Sequence, residues 1–174
     1  SSLASVTIGN GVTSIEMLAF SGCSSLTSIV IPNRVTSIAN SAFRNCTSLT
    51  SVEIPDNVTE IGESVFNGCS SLASVIIGDG GISIADEAFS GCSSLTSVTV
   101  GSSVTNIVEA FYDSPISEFH CYAANPPELV YSPYAPFNPD KTKDKATLYV
   151  PIGSKTAYED SKWSTYFKNI VEMN

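Results

Sequence analysis

Positive charge is what this chain has least of: eight Lys and Arg stand against 17 Asp and Glu in 174 residues, a net charge of −9. Binding to nucleic acid or an anionic membrane surface needs basic patches, so neither partner class is expected. Ser1 to Ser114 holds ten acids and only two bases, Arg34 and Arg44, which places nearly all the negative charge in that part. His120 is the single histidine, so no second imidazole is available to share a metal. No apolar run approaches the ~18 residues of a membrane span. No basic, apolar, small-residue leader opens the sequence. With only 14% charged residues, Ser, Thr and aliphatics dominate, a composition suited to strands and turns.

Those residues are arranged periodically. Leu26, Ile29 and Ile31 recur as Leu3, Val6, Ile8, then Leu49, Val52, Ile54, then Leu72, Val75, Ile77, then Leu95, Val98, Val100, always 23 residues apart. A fixed period of that size signals stacked supersecondary units. Each L-x-x-I-x-I stretch predicts a short strand whose aliphatics point inward, ended by Pro32, Pro55, Gly78 or Gly101. A second apolar pair (Val12/Ile15, Val35/Ile38, Val58/Ile61, Val104/Ile107) predicts an extended stretch on the far side of each coil. The fourth unit slips here, with Gly81 in place of Val and Ile82 beside it. The chain opens at a repeat boundary with no polar capping unit, which predicts a piece of a longer protein.

Each unit closes with Phe20, Phe43, Phe66, Phe89 or Phe111, read as one interior column. The residues before each Phe suit one helical or 3₁₀ turn, and Glu16, Glu63, Asp86, Glu87 and Glu109 favour its positive end. Cys23, Cys46, Cys69 and Cys92 share one repeat position and predict a reduced, buried ladder, with Ser114 in that place in a degenerate sixth unit. Parallel side chains at one strand spacing rarely meet disulfide geometry, and ligands along a line make no tetrahedron. No metal or cofactor is expected. The array spans residues 1–121. Residues 122–174 form a C-terminal cap: a Pro/Tyr-rich loop, a strand ending at Pro151 and a short helix begun by Ser154. Trp163, Phe167 and Ile170 supply apolar cover.

The units L-T-S-I-x-I-P-x-x-V-T-S-I-x-x-x-A-F-x-x-C resemble the BspA-like leucine-rich repeats of surface proteins from Bacteroides-type bacteria. The tail, C-Y-A-A-N-P-P followed by L-Y-V-P-x-G-S, is similar to the segment that closes such arrays. The resemblance implies a leucine-rich repeat solenoid, a right-handed superhelix or horseshoe of short parallel strands with 3₁₀ or short helical turns. It also implies a secreted or surface-anchored location and adhesion to host proteins, with no shared catalytic residues.

The outward side chains of the predicted strands form the candidate binding surface: Ser28, Val30, Ser51, Glu53, Ser74, Ile76, Thr99, Glu118 and His120. Solenoids commonly bind through such a concave face, although these rows lack the aromatics typical of hot spots. The expected partner is a host extracellular-matrix or cell-surface protein, bound by a monomer. A structural spacer is the competing reading. A hydrolase using Glu118 and His120 is a remote one, for no nucleophile stands beside them. Tyr122, Tyr131, Tyr134 and Phe137 either bind a ligand or pack onto the last coil, and Lys141, Lys143 and Lys145 read as a solvated loop tip.

Overall fold

The computed structural model describes residues 3–81, 83–131 and 134–174. The repeats wind into a parallel-strand β-solenoid of about seven turns. One sheet, the back sheet, is built from β1 (Ser14–Ile15), β2 (Ser37–Ile38), β4 (Glu60–Ile61), β6 (Ser83–Ile84), β8 (Asn106–Val108) and β10 (Glu128–Val130). The front sheet comprises β3 (Ser51–Ile54), β5 (Ser74–Ile77), β7 (Ser97–Val100), β9 (Glu118–Cys121), β11 (Thr147–Val150) and β12 (Asn169–Glu172). All pairings are parallel and in repeat register. Val52 lies beside Val75, Val75 beside Val98, and Val98 beside Phe119. Each inward aliphatic therefore stacks on its counterpart, and the core lies between the sheets.

Two of the strands expected from the repeat are absent. Leu3–Ile8 and Leu26–Ile31 run without strand pairing, and the front sheet starts at β3. The residue that ends each stretch explains this. Gly78 N–H donates to Ile54 O at 2.9 Å, Gly101 N–H to Ile77 O at 2.9 Å, and Tyr122 N–H to Val100 O at 3.0 Å. The equivalent residues of the second and third coils are Pro32 and Pro55, which have no N–H to give. Ile29 and Ile31 are nevertheless buried. In the fourth unit Ile84 keeps register with Ile61 and Ile107, so the irregularity stays local to the buried Gly81. Ile82 lies outside the described residues.

The turns leading to the phenylalanines are closed by i→i−3 bonds, as in Ala19 N–H to Glu16 O and Ala42 N–H to Ala39 O, both 3.2 Å. Their third residue, however, is left-handed: Leu18, Ser41, Ser64, Glu87 and Glu109 have φ between 41° and 61°. Each is thus a type II turn rather than a 3₁₀ or helical one. The turn N–H groups bond forward across coils, Phe20 to Ala42 O, Phe43 to Val65 O and Phe66 to Ala88 O, at 2.8–2.9 Å. Inside, Phe20, Phe43, Phe66, Phe89 and Phe111 stack at 5.2–5.3 Å between ring centroids.

All five cysteines are buried, and none forms a disulfide. The Cys46, Cys69 and Cys92 thiols each donate to the carbonyl of Phe20, Phe43 and Phe66, at 3.2 Å. Ser114 makes the same bond to Phe89 O at 2.8 Å. Burial holds Cys92 up to about 12, so it stays protonated and keeps its donor. Threonines behave alike on the surface: Thr36, Thr50 and Thr59 hydroxyls donate to the carbonyl of the residue 23 positions earlier.

Residues after 121 add β10 to the back sheet and β11 and β12 to the front sheet. Phe137 extends the column, lying 5.6 Å from Phe111 and nearly parallel to it, and Trp163, Tyr166 and Phe167 pack around it. Tyr158 O–H donates to Ala123 O at 2.7 Å and Trp163 Nε1–H to Pro127 O at 2.8 Å. Ser154 occupies the cap position of α2 (Lys155–Glu159) but makes no side-chain cap bond. The Glu172 carboxylate instead accepts from Gly153 and Lys155 N–H, because it lies across from the helix start in β12. Lys141 belongs to another short helix, α1 (Pro139–Thr142), and pairs with Asp113 at 3.2 Å, so it is anchored rather than free at a loop tip.

The column predicts that Phe43→Ala, which deletes a fully buried ring between two others, costs about 3–5 kcal/mol. Denaturant melts read this directly, and an unchanged midpoint contradicts the column.

The acidic turns carry a second prediction. Glu109 is buried with Oε2 accepting from Tyr134 N–H at 3.0 Å, and Asp86 Oδ1 is buried without a partner. Burial, with the charges of Asp86 and Glu87, raises the Glu109 carboxyl above its ordinary value despite the Tyr134 bond. A raised carboxyl favours the protonated fold, so its ionisation removes stability as pH climbs through the folded-state value. Glu109→Gln keeps an acceptor and loses the charge. Its melting temperature should exceed that of the wild type at neutral pH and converge with it near about pH 3, where both are uncharged.

Candidate functional site

The front sheet buries one side and exposes the other, because side chains alternate along each strand. The ladder register aligns the outward residues into two rows. One reads Ser51, Ser74, Ser97, Glu118, Thr147, Asn169, and the other Glu53, Ile76, Thr99, His120, Tyr149, Val171. The structure therefore brings Ser51, Glu53, Ser74, Ile76, Thr99, Glu118 and His120 onto one continuous face. Ser28 and Val30 precede it, across a 330 Å³ cleft that separates the second coil from β3. Val30 is 78% exposed and Ile76 47%, large values for aliphatics with no packing role of their own.

Four residues of this face escape the repeat pattern: Thr147, Tyr149, Asn169 and Val171. Tyr149 stacks on His120 with ring centroids 4.3 Å apart and planes 10° apart. It supplies an aromatic to rows that have none in the repeats. A signal for it does exist, since L-Y-V-P at 148–151 copies the V-E-I-P of 52–55. Asn169 Nδ2–H donates to Thr147 Oγ1 at 2.8 Å and ties β12 to β11.

His120 Nε2 lies 3.9 Å from Glu118 Oε2, an outward pair on one strand. With Tyr149 stacked against the imidazole and every cysteine buried, the pair has no thiol nucleophile within reach. Among the described residues no group of three or more His, Cys, Asp or Glu is arranged to hold a metal ion.

The loop aromatics divide. Phe137 is fully buried at the end of the column, whereas Tyr122, Tyr131 and Tyr134 are about half exposed. Tyr134 stacks on Tyr112 at 5.1 Å, and Tyr131 shares a 2.8 Å hydrogen bond with Tyr166 and lies under Lys162. No helix of the described residues is long and apolar enough to cross a membrane.

Comparison with known proteins follows the same architecture. No curated protein matches the chain. A leucine-rich repeat protein of T. pallidum is 33% identical over 61% of this chain and 50% of its own, with a TM-score of 0.54. A leucine rich cell surface protein of Faecalibacterium prausnitzii A2-165 is 22% identical over 85% of this chain and 32% of its own, TM-score 0.52. The pneumococcal vaccine antigen PcpA is also 22% identical, over 94% of this chain and 34% of its own, TM-score 0.52. The chain thus spans half or less of the length of these solved relatives. The model of the BspA type leucine-rich repeat region matches six copies over residues 1–119. Repeat period, coil geometry and family match agree, and the chain belongs to the BspA-type leucine-rich repeat family.

Proposed function

We propose that this chain is a non-catalytic protein-binding module that works outside the cell or on its surface and engages its partner through the front face. The observation that carries this reading is the exposed row Glu53, Ile76, Thr99, His120, Tyr149, Val171. It combines a half-exposed aliphatic, a stacked Tyr–His pair and flanking carboxylates on a flat sheet. Buried aromatic anchors with polar neighbours are what make hot spots in protein interfaces. Over the repeats the neighbouring row is short and hydroxylated, Ser51, Ser74 and Ser97, so the variable row stands above it there. A relative described as a cell surface protein supports the location. A host matrix or cell-surface protein fits this face better than a nucleic acid, given the chain's charge of −9.

A spacer role is the second reading, favoured by the unbroken phenylalanine column. Its spacing is nearly constant from Phe20 to Phe111, which makes the array a stiff rod.

The two readings diverge in one experiment. The chain is used to capture proteins from matrix or serum, and the captured species is titrated against surface variants. Ile76→Asp and Tyr149→Ala should each weaken binding by about tenfold or more, the range of a hot-spot truncation. Glu60→Lys, on the back sheet, should leave it unchanged. Equal binding by all three variants removes the front face from consideration, and no captured protein at all favours the spacer.

A further inference from the structure

The residues that end the front strands form a row, Pro32, Pro55, Gly78, Gly101 and Tyr122, that is bare at its two glycines. A Cβ at Gly101 would lie 2.6 Å from Asp79 Oδ1 and 2.7 Å from Gly78 O. One at Gly78 would lie 2.8 Å from Asp56 N and closer still to the Asp56 carboxylate. Each position is thus held to glycine by the aspartate one coil earlier. The result is a 390 Å³ depression at the C-terminal ends of β5 and β7, with the half-exposed Tyr122 on its wall. It lies on the surface. The coils beneath are closed, with Gly78, Gly101 and Tyr122 N–H donating to Ile54, Ile77 and Val100 O.

The polar groups of the depression are fixed but only partly used. Asp56 Oδ1 accepts from Asp79 N–H at 3.0 Å. Asp79 Oδ1 accepts from Ser102 N–H at 2.6 Å and from Ser102 Oγ–H at 3.0 Å. Among the described residues neither Oδ2 has a partner. Thr99 adds a hydroxyl to the lining.

We infer that this depression is a binding site for a neutral saccharide, a ligand class beyond the protein partner proposed above. The apolar C–H face of a pyranose ring packs on Tyr122, whose side chain offers an apolar body and a polar tip. Sugar hydroxyls donate to the two unused carboxylate oxygens, which stand one coil, about 4.8 Å, apart. Hydrogen bonds to ionised acceptors are the stronger kind, and acceptors already held by main-chain bonds need little further ordering. At 390 Å³ the site is near the small end of ligand pockets, which suits one or two sugar rings. A basic side chain fits less well, because a guanidinium grips a carboxylate through both oxygens and Oδ1 is spent on the next coil. An anionic sugar would meet two carboxylates in a chain of net charge −9.

The test titrates methyl β-D-glucoside, methyl β-D-galactoside and methyl α-D-mannoside separately into the labelled chain, followed by amide chemical shifts. At least one should give saturable shifts at Gly78, Asp79, Gly101 and Tyr122, at about millimolar concentration. Tyr122→Ala should weaken that sugar about tenfold by removing the ring. Asp79→Asn keeps an Oδ1 acceptor for Ser102 and so the fold, checked by an unchanged melting temperature, but loses the charged oxygen. It too should bind about tenfold more weakly. Methyl β-D-glucuronide should give no saturable shift. No shift with any of the three neutral sugars, shifts elsewhere, wild-type affinity in either variant, or a glucuronide that binds as tightly each overturns the proposal. So does acetyl-arginine amide binding there in place of the sugars. Tyr149→Ala, outside the depression, should leave sugar binding intact. If no sugar binds while a captured protein still depends on Tyr149, the saccharide site falls and the front-face reading stands; sugar binding without such a protein gives the reverse.

Discussion

Every coil of this molecule is held by main-chain hydrogen bonds to the coil before and the coil after it. A solenoid turn has few polar partners within itself, so buried N–H and C=O groups must find them at the same position one repeat away. That requirement selects side chains as well as backbone. Cys46, Cys69 and Cys92 return a donor to the phenylalanine carbonyl of an earlier coil, and Ser114 does so where the cysteine is lost. Cys and Ser share little beyond a small side chain with a donor at the γ position, which identifies the donor as the feature required. The threonine hydroxyls that reach back one repeat serve the same ladder. The abundance of Ser and Thr thus has a cause beyond strand preference.

The inward half of the fold was readable because burial imposes a strict residue type at each repeat position. Val52, Val75 and Val98 could only be strand residues facing a core. The two prolines were harder. As terminators Pro55 and Gly78 look alike in the sequence, and their difference appears only when a carbonyl of the preceding coil needs an N–H. The type II turns were hidden for another reason. The left-handed position is filled by Leu18, Ser41, Ser64, Glu87 and Glu109, none of them glycine, so the usual marker of positive φ is missing. In the tail, Leu148 and Val150 announced a strand but not its neighbour. Tyr149 follows its partner His120 by 29 residues, outside the 23-residue period.

That irregular step matters for the candidate site. The repeats alone build a face of hydroxyls, two aliphatics and scattered acids, with no Phe, Tyr or Trp on it. Residues after 121 cover the phenylalanine column with Phe137 and also extend the front sheet by two strands. The segment that closes the core therefore enlarges the surface and brings in its aromatic. On the proposed reading, stability and recognition are served by the two faces of the same strand, Leu148 and Val150 inward, Thr147 and Tyr149 outward.

The two outward rows differ in how freely they vary, and the difference is informative within this one chain. Within the five regular units Ser5, Ser28, Ser51, Ser74 and Ser97 repeat the same residue, while the neighbouring row runs Thr7, Val30, Glu53, Ile76 and Thr99; beyond them the first row changes to Glu118, Thr147 and Asn169 and the second to His120, Tyr149 and Val171. The ladder constrains both rows equally through the backbone, so core packing gives no reason for one to be uniform and the other mixed. A uniform row of short side chains lowers the surface beside the mixed row and gives a partner access to its flanks. If the front face binds as proposed, discrimination between partners falls to the mixed row, where size, charge and ring character change from one strand to the next while the strands beneath keep the register.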